Sequence, residues 1–508
     1  MHRPLITVAL FALLALVLVS PASASSSLQI GIDDDGLMQF NPTTALTTAA
    51  QWQANGVRQS RLMLNWTRLA PSPLSTKKPA AFDARNHADP LYNWADLDRG
   101  VTALRSKNIN VSLMLSTPMP FWASTQPARR NNSYRPSPAA FADFVHAVTT
   151  RYKGRIWSYI LLNEPNLWFW LSPQVSCKTK SLSSCQPASP AIYRELFRAG
   201  YSASKAVDPT TPVWGGALAP AGRTSADVTK VSLGPLSFLR SMGCVTKTFK
   251  PDRSSASCRN FAPLTLDGVA IHPHTGTRSP GSPAAAADSV TIPTISRLTS
   301  TVDRIQSRGR IYNGSVALSA RKKSRLNVYI DEYGIQTNPP EPLIGVTPGK
   351  QDDYYQQAAY MMWKNPRVKL LSFYLWHDEP LGVGGLGSGS WQSGMYYANG
   401  KIKPSGRSFP HPFWVDLPKG SKSATVWGQV RPPQGSLAKQ ATAAATKSVT
   451  VQVRSGNSAS FKDLKTVSPN ADGYFSFKAS VSGTRSFRFV YGSPAQSSEV
   501  RTVTPRRR

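Results

Sequence analysis

Two glutamates stand where an apolar strand would be expected to end. In "WSYILLNEPNLWFW", Trp157 to Trp170, Glu164 follows Tyr159-Ile160-Leu161-Leu162; in "NVYIDEYG", Glu332 follows Val328-Tyr329-Ile330-Asp331. An ionised carboxylate in apolar surroundings is costly unless it is paired or hydrogen-bonded, so both positions ask for a reason. Two carboxylates flanking one cleft can cleave a glycosidic bond. One, kept protonated by its surroundings, gives a proton to the leaving oxygen; the other, ionised, attacks the anomeric carbon. Their environments must differ for that, and Arg61 in "QSRLMLNW" is a cation suited to holding Glu332 ionised.

Such a pair needs elements that bring distant residues to one mouth. Eight short apolar runs alternate with helical stretches between residues 28 and 413: 28–33, 59–66, 110–116, 157–164, 211–218, 266–274, 327–334 and 369–376. Eight strands with intervening helices predict a closed (β/α)8 barrel, an α/β fold whose functional residues lie at the C-terminal strand ends. Glu164 would then close strand four and Glu332 strand seven. Ser137-Pro138 and Ser189-Pro190 read as helix starts, with Ser as N-cap and Pro as first helical residue. Further helices are expected in 292–309 and 350–365, and the stretch after strand one reads as an ordinary first helix.

Residues 424–505 have a different texture. "ATVWGQVR", "KSVTVQVRS", "YFSFKAS" and "SFRFVYG" alternate polar and apolar positions around turn signals such as Asp472-Gly473, which predicts a small immunoglobulin-like β-sandwich of about seven strands. Its one Trp, Trp427, lies within a strand. That makes a spacer or wall-association role a better expectation than a dedicated glycan-binding module.

The chain has 508 residues, which allows two to four domains, and 59 basic against 27 acidic side chains, a formal net charge of +32. The basic residues are spread along the chain without a nucleic-acid-binding pattern. Attraction to anionic cell-envelope polymers is therefore expected ahead of specific nucleic-acid binding. Met1 to Ala24 reads as a secretory signal peptide: a basic start, an apolar core over 5–19, and small residues before a cut after Ala24. That core is about 15 residues and a membrane span needs roughly 20, so the mature chain is expected outside the cell or on its wall, with no transmembrane segment. The four cysteines allow three pairings, of which Cys177 with Cys185 and Cys244 with Cys258 are expected, each stapling one loop. A metal site is the alternative, but the Cys-x7-Cys and Cys-x13-Cys spacings lack the tight Cys-x2-4-Cys pattern.

"LLNEPN" and "YIDEYG", in that order at strand ends four and seven, resemble the acid/base and nucleophile motifs of clan A glycoside hydrolases, the group holding the family 5 cellulase-like and family 39 xylosidase-like enzymes. The resemblance covers residues 28–413 and leaves the sandwich aside. "SRLMLNWTRLAP", "STPMPFWA", "VAIHPH", "FYLWHD" and "SGMYYANGKIKP" resemble further stretches of the same pattern. The resemblance implies that Glu164 is the general acid/base and Glu332 the nucleophile of a retaining mechanism, with carboxyls about 5 to 5.5 Å apart. It implies that Asn163 bonds the sugar 2-hydroxyl, that Arg61 and His272 set charge and orientation, and that Trp376 floors the cleavage subsite. It implies no metal and no organic cofactor. His274 stands where many members have a Tyr, which leaves the Tyr hydroxyl beside the nucleophile without a counterpart. Trp122 belongs to the strand-three pattern. Trp168 opens an aromatic loop, Trp168-Phe169-Trp170, suited to a cleft wall.

These features favour a secreted retaining glycosidase acting on a poly- or oligosaccharide, with endo action expected from export and the appended domain. The competing reading is a catalytically silent, wall-associated barrel that only binds glycan. His272-Pro273-His274 as a metal pair is weaker, because no further His cluster accompanies it.

Overall fold

The computed structural model describes residues 27–321, 323–382, 390–431, 448–456, 460–493 and 495–506. The expected signal peptide lies outside the described residues, as do Arg507 and Arg508 of the basic tail. Each of the eight apolar runs forms a strand: Gln29–Asp33, Gln59–Asn65, Asn110–Ser116, Ser158–Leu161, Val213–Leu218, Gly268–Ile271, Val328–Tyr333 and Val368–Tyr374. Numbered one to eight, they pair in parallel, each with its sequence neighbours, and strand eight closes on strand one. Strand four stops before Glu164 and strand six before His272, so both side chains stand on the first residues beyond the sheet.

Inward-facing residues explain which end of the barrel is open. Trp214 and Tyr329 stack inside it with ring centroids 3.7 Å apart, and Trp157 sets its edge against both. All three come from N-terminal strand ends, so that end is plugged by aromatic rings. Gly268 makes this possible, because a Cβ there would collide with the Tyr329 ring. Above the rings Met114, Ile160, Ala217, Ala270 and Leu370 fill the interior. The opposite end carries the polar side chains.

Helices Ala45–Ala54, Ala95–Ser106, Pro138–Tyr152, Ser189–Val207, Pro235–Met242, Ile295–Ser307 and Pro348–Trp363 surround the sheet. Ser137 caps its helix as expected, accepting the Ala140 N–H at 3.3 Å. Ser189 does not repeat the device. It is the first residue of its helix, and its hydroxyl donates to Gln174 instead. Both expected disulfides, Cys177–Cys185 and Cys244–Cys258, are formed.

The all-β domain begins earlier than residue 424. Phe413–Asp416 already pairs with Ser423–Gln429, which pairs with Tyr474–Ser480. The second sheet is built on Val449–Ser455 and Arg485–Tyr491, with Lys462–Val467, Gln496–Ser497 and Arg501–Val503 at its edges. Phe413, Val426, Val451, Phe475 and Phe489 pack between the two sheets. Trp427 is fully buried against Tyr360 and Trp363 of the barrel, the Tyr474 hydroxyl donates to Leu28 O at 2.8 Å, and Arg501 meets Asp352 at 2.8 Å. Leu28 precedes strand one, so the domain docks beside the plugged end. No helix among the described residues is long and apolar enough to cross a membrane.

Candidate active site

At the end of strand four the chain turns sharply. Leu162 and Glu164 both have positive φ, +70° and +40°. Neither residue adopts that conformation freely, at a cost of about 1–3 kcal/mol each. Neighbouring strands hold the turn in place: Leu162 N–H donates to Leu115 O at 2.9 Å, Asn163 N–H to Ser116 Oγ at 3.0 Å and Glu164 N–H to Ala217 O at 3.0 Å. Asn166, not singled out by the sequence, clamps the following loop by accepting Ala219 N–H and donating to Leu233 O. Glu164 is thereby aimed at the mouth from a rigid base.

Strand seven supplies two carboxylates, and only one was expected. In a regular strand Asp331 and Glu332 would face opposite ways. The pairing with strand eight shifts register between Ile330 and Tyr333, and this bulge turns both toward the interior. Arg61 spans them, with Nη2 2.8 Å from Glu332 Oε2 and Nη1 3.9 Å from Asp331 Oδ2. Its backbone N–H donates to Asp33 Oδ1 at 2.8 Å. Burial raises the Asp33 carboxyl to about 8 against the pull of Arg61, and raises Asp34 to about 7 despite the backbone N–H groups of His377 and Leu37. The "DDD" at residues 33–35 was the sequence signal for this acidic floor.

His272 ties the two glutamates together. Its Nδ1 lies 3.1 Å from Glu164 Oε1 and 3.9 Å from Glu332 Oε2, while Nε2 lies 3.4 Å from Asp331 Oδ2. The sum of the first two distances bounds the separation of those oxygens. It lies at the lower edge of the about 6.5–9.5 Å of inverting pairs and accommodates the about 5–5.5 Å of retaining ones. Burial opposes charge on the imidazole, but Glu332 and Asp331 outweigh it and push His272 up to about 10. Burial would likewise raise Glu332, but His272, Arg61 and His274 hold its carboxyl well below the usual range. It is ionised at neutral pH.

His274 fills the place where the Tyr is missing. Its Nδ1 lies 3.1 Å from Gly334 N and 3.3 Å from Gly334 O, and its Nε2 lies 3.4 Å from Glu332 Oε1. Tyr333 faces away from the site, as alternation requires, with its hydroxyl 3.2 Å from Thr275 Oγ1. Asn163 is buried, and its Oδ1 has no hydrogen-bond partner among the described residues.

The aromatic assignments need correction. Trp376 is 1% exposed, stands edge-on to Trp52 and donates Nε1–H to Gln51 Oε1 at 3.3 Å, so it packs against the first helix and does not floor the site. Its backbone N–H and that of His377 donate to Asp34 Oδ2, which draws the chain out of the strand path after Tyr374. Tyr374, the last residue of strand eight, lies close enough to Glu332 to feel its charge. Burial and the charges of Glu332, Glu379 and Asp35 push its phenol well above the usual value, and Trp391 stands edge-on to it at 6.0 Å. Trp122 is half-buried, with its edge on Trp66 and Phe82 and Nε1–H on Pro71 O at 3.1 Å. Trp168 is half-buried on its loop, edge-on to Phe169, which is 49% exposed.

One ligand atom each from Glu164, His272 and His274 lies within 4.8 Å of the others, as in a metal site. His272 Nδ1 and Nε2 are both within reach of carboxylate oxygens, at 3.1 Å from Glu164 Oε1 and 3.4 Å from Asp331 Oδ2.

No family model and no curated protein matches the chain. Among solved structures it is similar to a family 39 glycoside hydrolase from the gut symbiont Bacteroides cellulosilyticus, at 13% identity over 90% of this chain and 80% of that one, with a TM-score of 0.48. It is also similar to a glucosidase from Croceicoccus marinus, at 12% identity over 95% of both chains with a TM-score of 0.49. A third is an endo-beta-1,4-mannanase from Thermotoga petrophila, at 11% identity over 95% of this chain and 99% of that one, with a TM-score of 0.39.

Proposed function

We infer that the chain is an exported retaining β-glycosidase that hydrolyses O-glycosidic bonds of a poly- or oligosaccharide by double displacement. One observation carries this reading: a single imidazole nitrogen lies 3.1 and 3.9 Å from carboxylate oxygens at the ends of strands four and seven, and the second carboxylate is held ionised by Arg61.

In the first step an oxygen of Glu332 bonds to the anomeric carbon while the bond to the leaving oxygen breaks, and Glu164 transfers its proton to that oxygen. In the second, Glu164 as carboxylate takes a proton from a water whose oxygen attacks the same carbon, and the ester to Glu332 breaks. Asn163 Oδ1 accepts the sugar 2-hydroxyl, an interaction that tightens as the ring approaches the oxocarbenium-like transition state. Arg61 and His274 aim the two oxygens of Glu332, and Tyr374 lies close to them. Export, endo action and attraction of the basic surface to anionic envelope polymers belong to the same reading.

The test is to follow new reducing ends and product lengths on a panel of β-linked glycans, with the chain from Ser25 and its Glu332→Gln variant. Cleavage of one glycan by the wild type alone supports the reading. Equal binding by both proteins with no cleavage by either supports a silent barrel instead.

A further inference from the structure

A groove of about 660 Å3 runs between three loops that follow strands three, four and five, on the face of the barrel that carries Glu164. Arg129 and Tyr134 come from the first loop, Lys178 and Lys180 from the second and Thr229 from the third. The chain enters its wall at Ser172, shortly after the turn at Glu164 and the Trp168-Phe169-Trp170 run. The Cys177–Cys185 disulfide closes the hairpin of Val175–Cys177 and Cys185–Pro187, so it fixes the segment on which the two lysines sit.

No Asp or Glu is among the described lining residues, and among the described residues none of Arg129, Lys178 and Lys180 is in an ion pair. Arg129 instead makes two neutral contacts. Its guanidinium lies 4.6 Å from the Tyr134 ring centroid, and its Nε donates to Gln126 Oε1 at 3.0 Å. Asp227, next to Val228 in the third wall, is taken up by Thr229 and by Lys230 at 3.8 Å. Elsewhere on the barrel arginines reach acids, as Arg240 does Asp288 and Arg367 does Asp303. Three exposed cations without an acidic neighbour in the lining of one groove repel each other and attract an anion. A planar guanidinium with free Nη groups suits a carboxylate in particular.

We propose that this groove is a subsite for a uronate-bearing glycan, so that the substrate chain lies from the Glu164–Glu332 pair along the disulfide hairpin with its carboxylates against Arg129, Lys178 and Lys180. The proposal rests on the glycosidase reading, because it takes the groove as a continuation of the same cleft. It names the substrate class, an acidic polysaccharide, and it gives part of the large positive charge a local purpose.

The experiment measures binding without turnover. The Glu332→Gln protein is titrated with hyaluronan oligosaccharides and with the same oligosaccharides carboxyl-reduced, at low and at physiological salt. The expected result is tighter binding of the acidic form, and loss of about tenfold in that affinity when Arg129→Ala, Lys178→Ala and Lys180→Ala are combined, with the neutral form unaffected. A control removes the same charge from the sandwich through Lys419→Ala, Lys422→Ala and Lys462→Ala, exposed residues remote from the groove, and should leave the preference intact. Equal binding of acidic and neutral forms, or an equal loss in the control, overturns the proposal. So does single-stranded DNA that shows the same dependence on the three groove cations, since the groove would then read charge alone. A kept charge preference in a wild type that cleaves nothing would instead count against the glycosidase reading and leave the groove standing.

Discussion

Arg61 crosses from strand two to strand seven and sets Nη2 2.8 Å from Oε2 of Glu332, in an environment where the arginine is 1% exposed. A buried charge pair of this kind is costly to break from one side, because the remaining charge has nowhere to go. Arg61→Met should therefore destabilise the fold by about 3–5 kcal/mol. Arg61→Lys keeps a charge but cannot span Asp331 and Glu332 together, so it should fold and lose about a hundredfold in kcat. Urea unfolding and steady-state kinetics on the two variants separate these effects.

His272 gives a pH dependence whose sign is fixed. Its folded value is raised to about 10 from the ordinary 6.5, so the native state binds that proton more tightly. The contribution is fully present below about 6.5 and is lost as pH rises through about 10. Asp33, raised to about 8, falls in the same direction at lower pH, while Lys403, lowered by burial to about 8, acts in the opposite sense above that, so the His272 contribution is read as the difference between wild type and His272→Gln. Thermal melts at about pH 8.5 and 10 should show a larger drop for the wild type than for His272→Gln.

Glu332 behaves oppositely. Its carboxyl is held low by His272 and Arg61 over the effect of burial, so it stays charged well into acid. Loss of activity on acidification should therefore begin at a higher pH in Arg61→Lys than in the wild type, read from kcat/KM profiles.

Asn163 presents an unpartnered buried acceptor beside Glu164. Asn163→Ala should lower kcat/KM about a hundredfold on a glycoside with a 2-hydroxyl and far less on its 2-deoxy analogue. Parallel kinetics on the two substrates read the difference directly.

Tyr374 and Trp376 should exchange the roles that sequence pattern assigns them. Trp376→Ala empties a fully packed site against Trp52 and Phe409 and should cost about 3–5 kcal/mol. Tyr374→Phe, which keeps the ring and its packing, should leave the melting temperature nearly unchanged, and Tyr374→Ala should raise KM beyond what Trp376→Ala does. The opposite pattern would return Trp376 to the cleft.

The barrel was readable because each strand is an apolar run that fills the interior or meets the helices, and the alternation of strand and helix leaves few topologies. Glu164 and Glu332 were readable because a carboxylate at the end of such a run is expensive. Asp331 was missed because a bulge reverses the side a residue faces, and strand alternation hides that. Trp376 was misplaced because the Asp34 carboxylate, far away in sequence, draws the chain outward after Tyr374. The sandwich boundary was set late because Phe413–Asp416, a four-residue strand, carries too short a pattern to register.

The central claim is that Glu332 forms a glycosyl ester. Incubation with activated 2-deoxy-2-fluoro-β-glycosides of the gluco, xylo and manno series should trap that ester, and peptide mass spectrometry should find one sugar adduct on the peptide holding Glu332, absent from Glu332→Gln. An adduct on any other residue, or cleavage of a glycan with inversion at the anomeric carbon and no adduct, would contradict it.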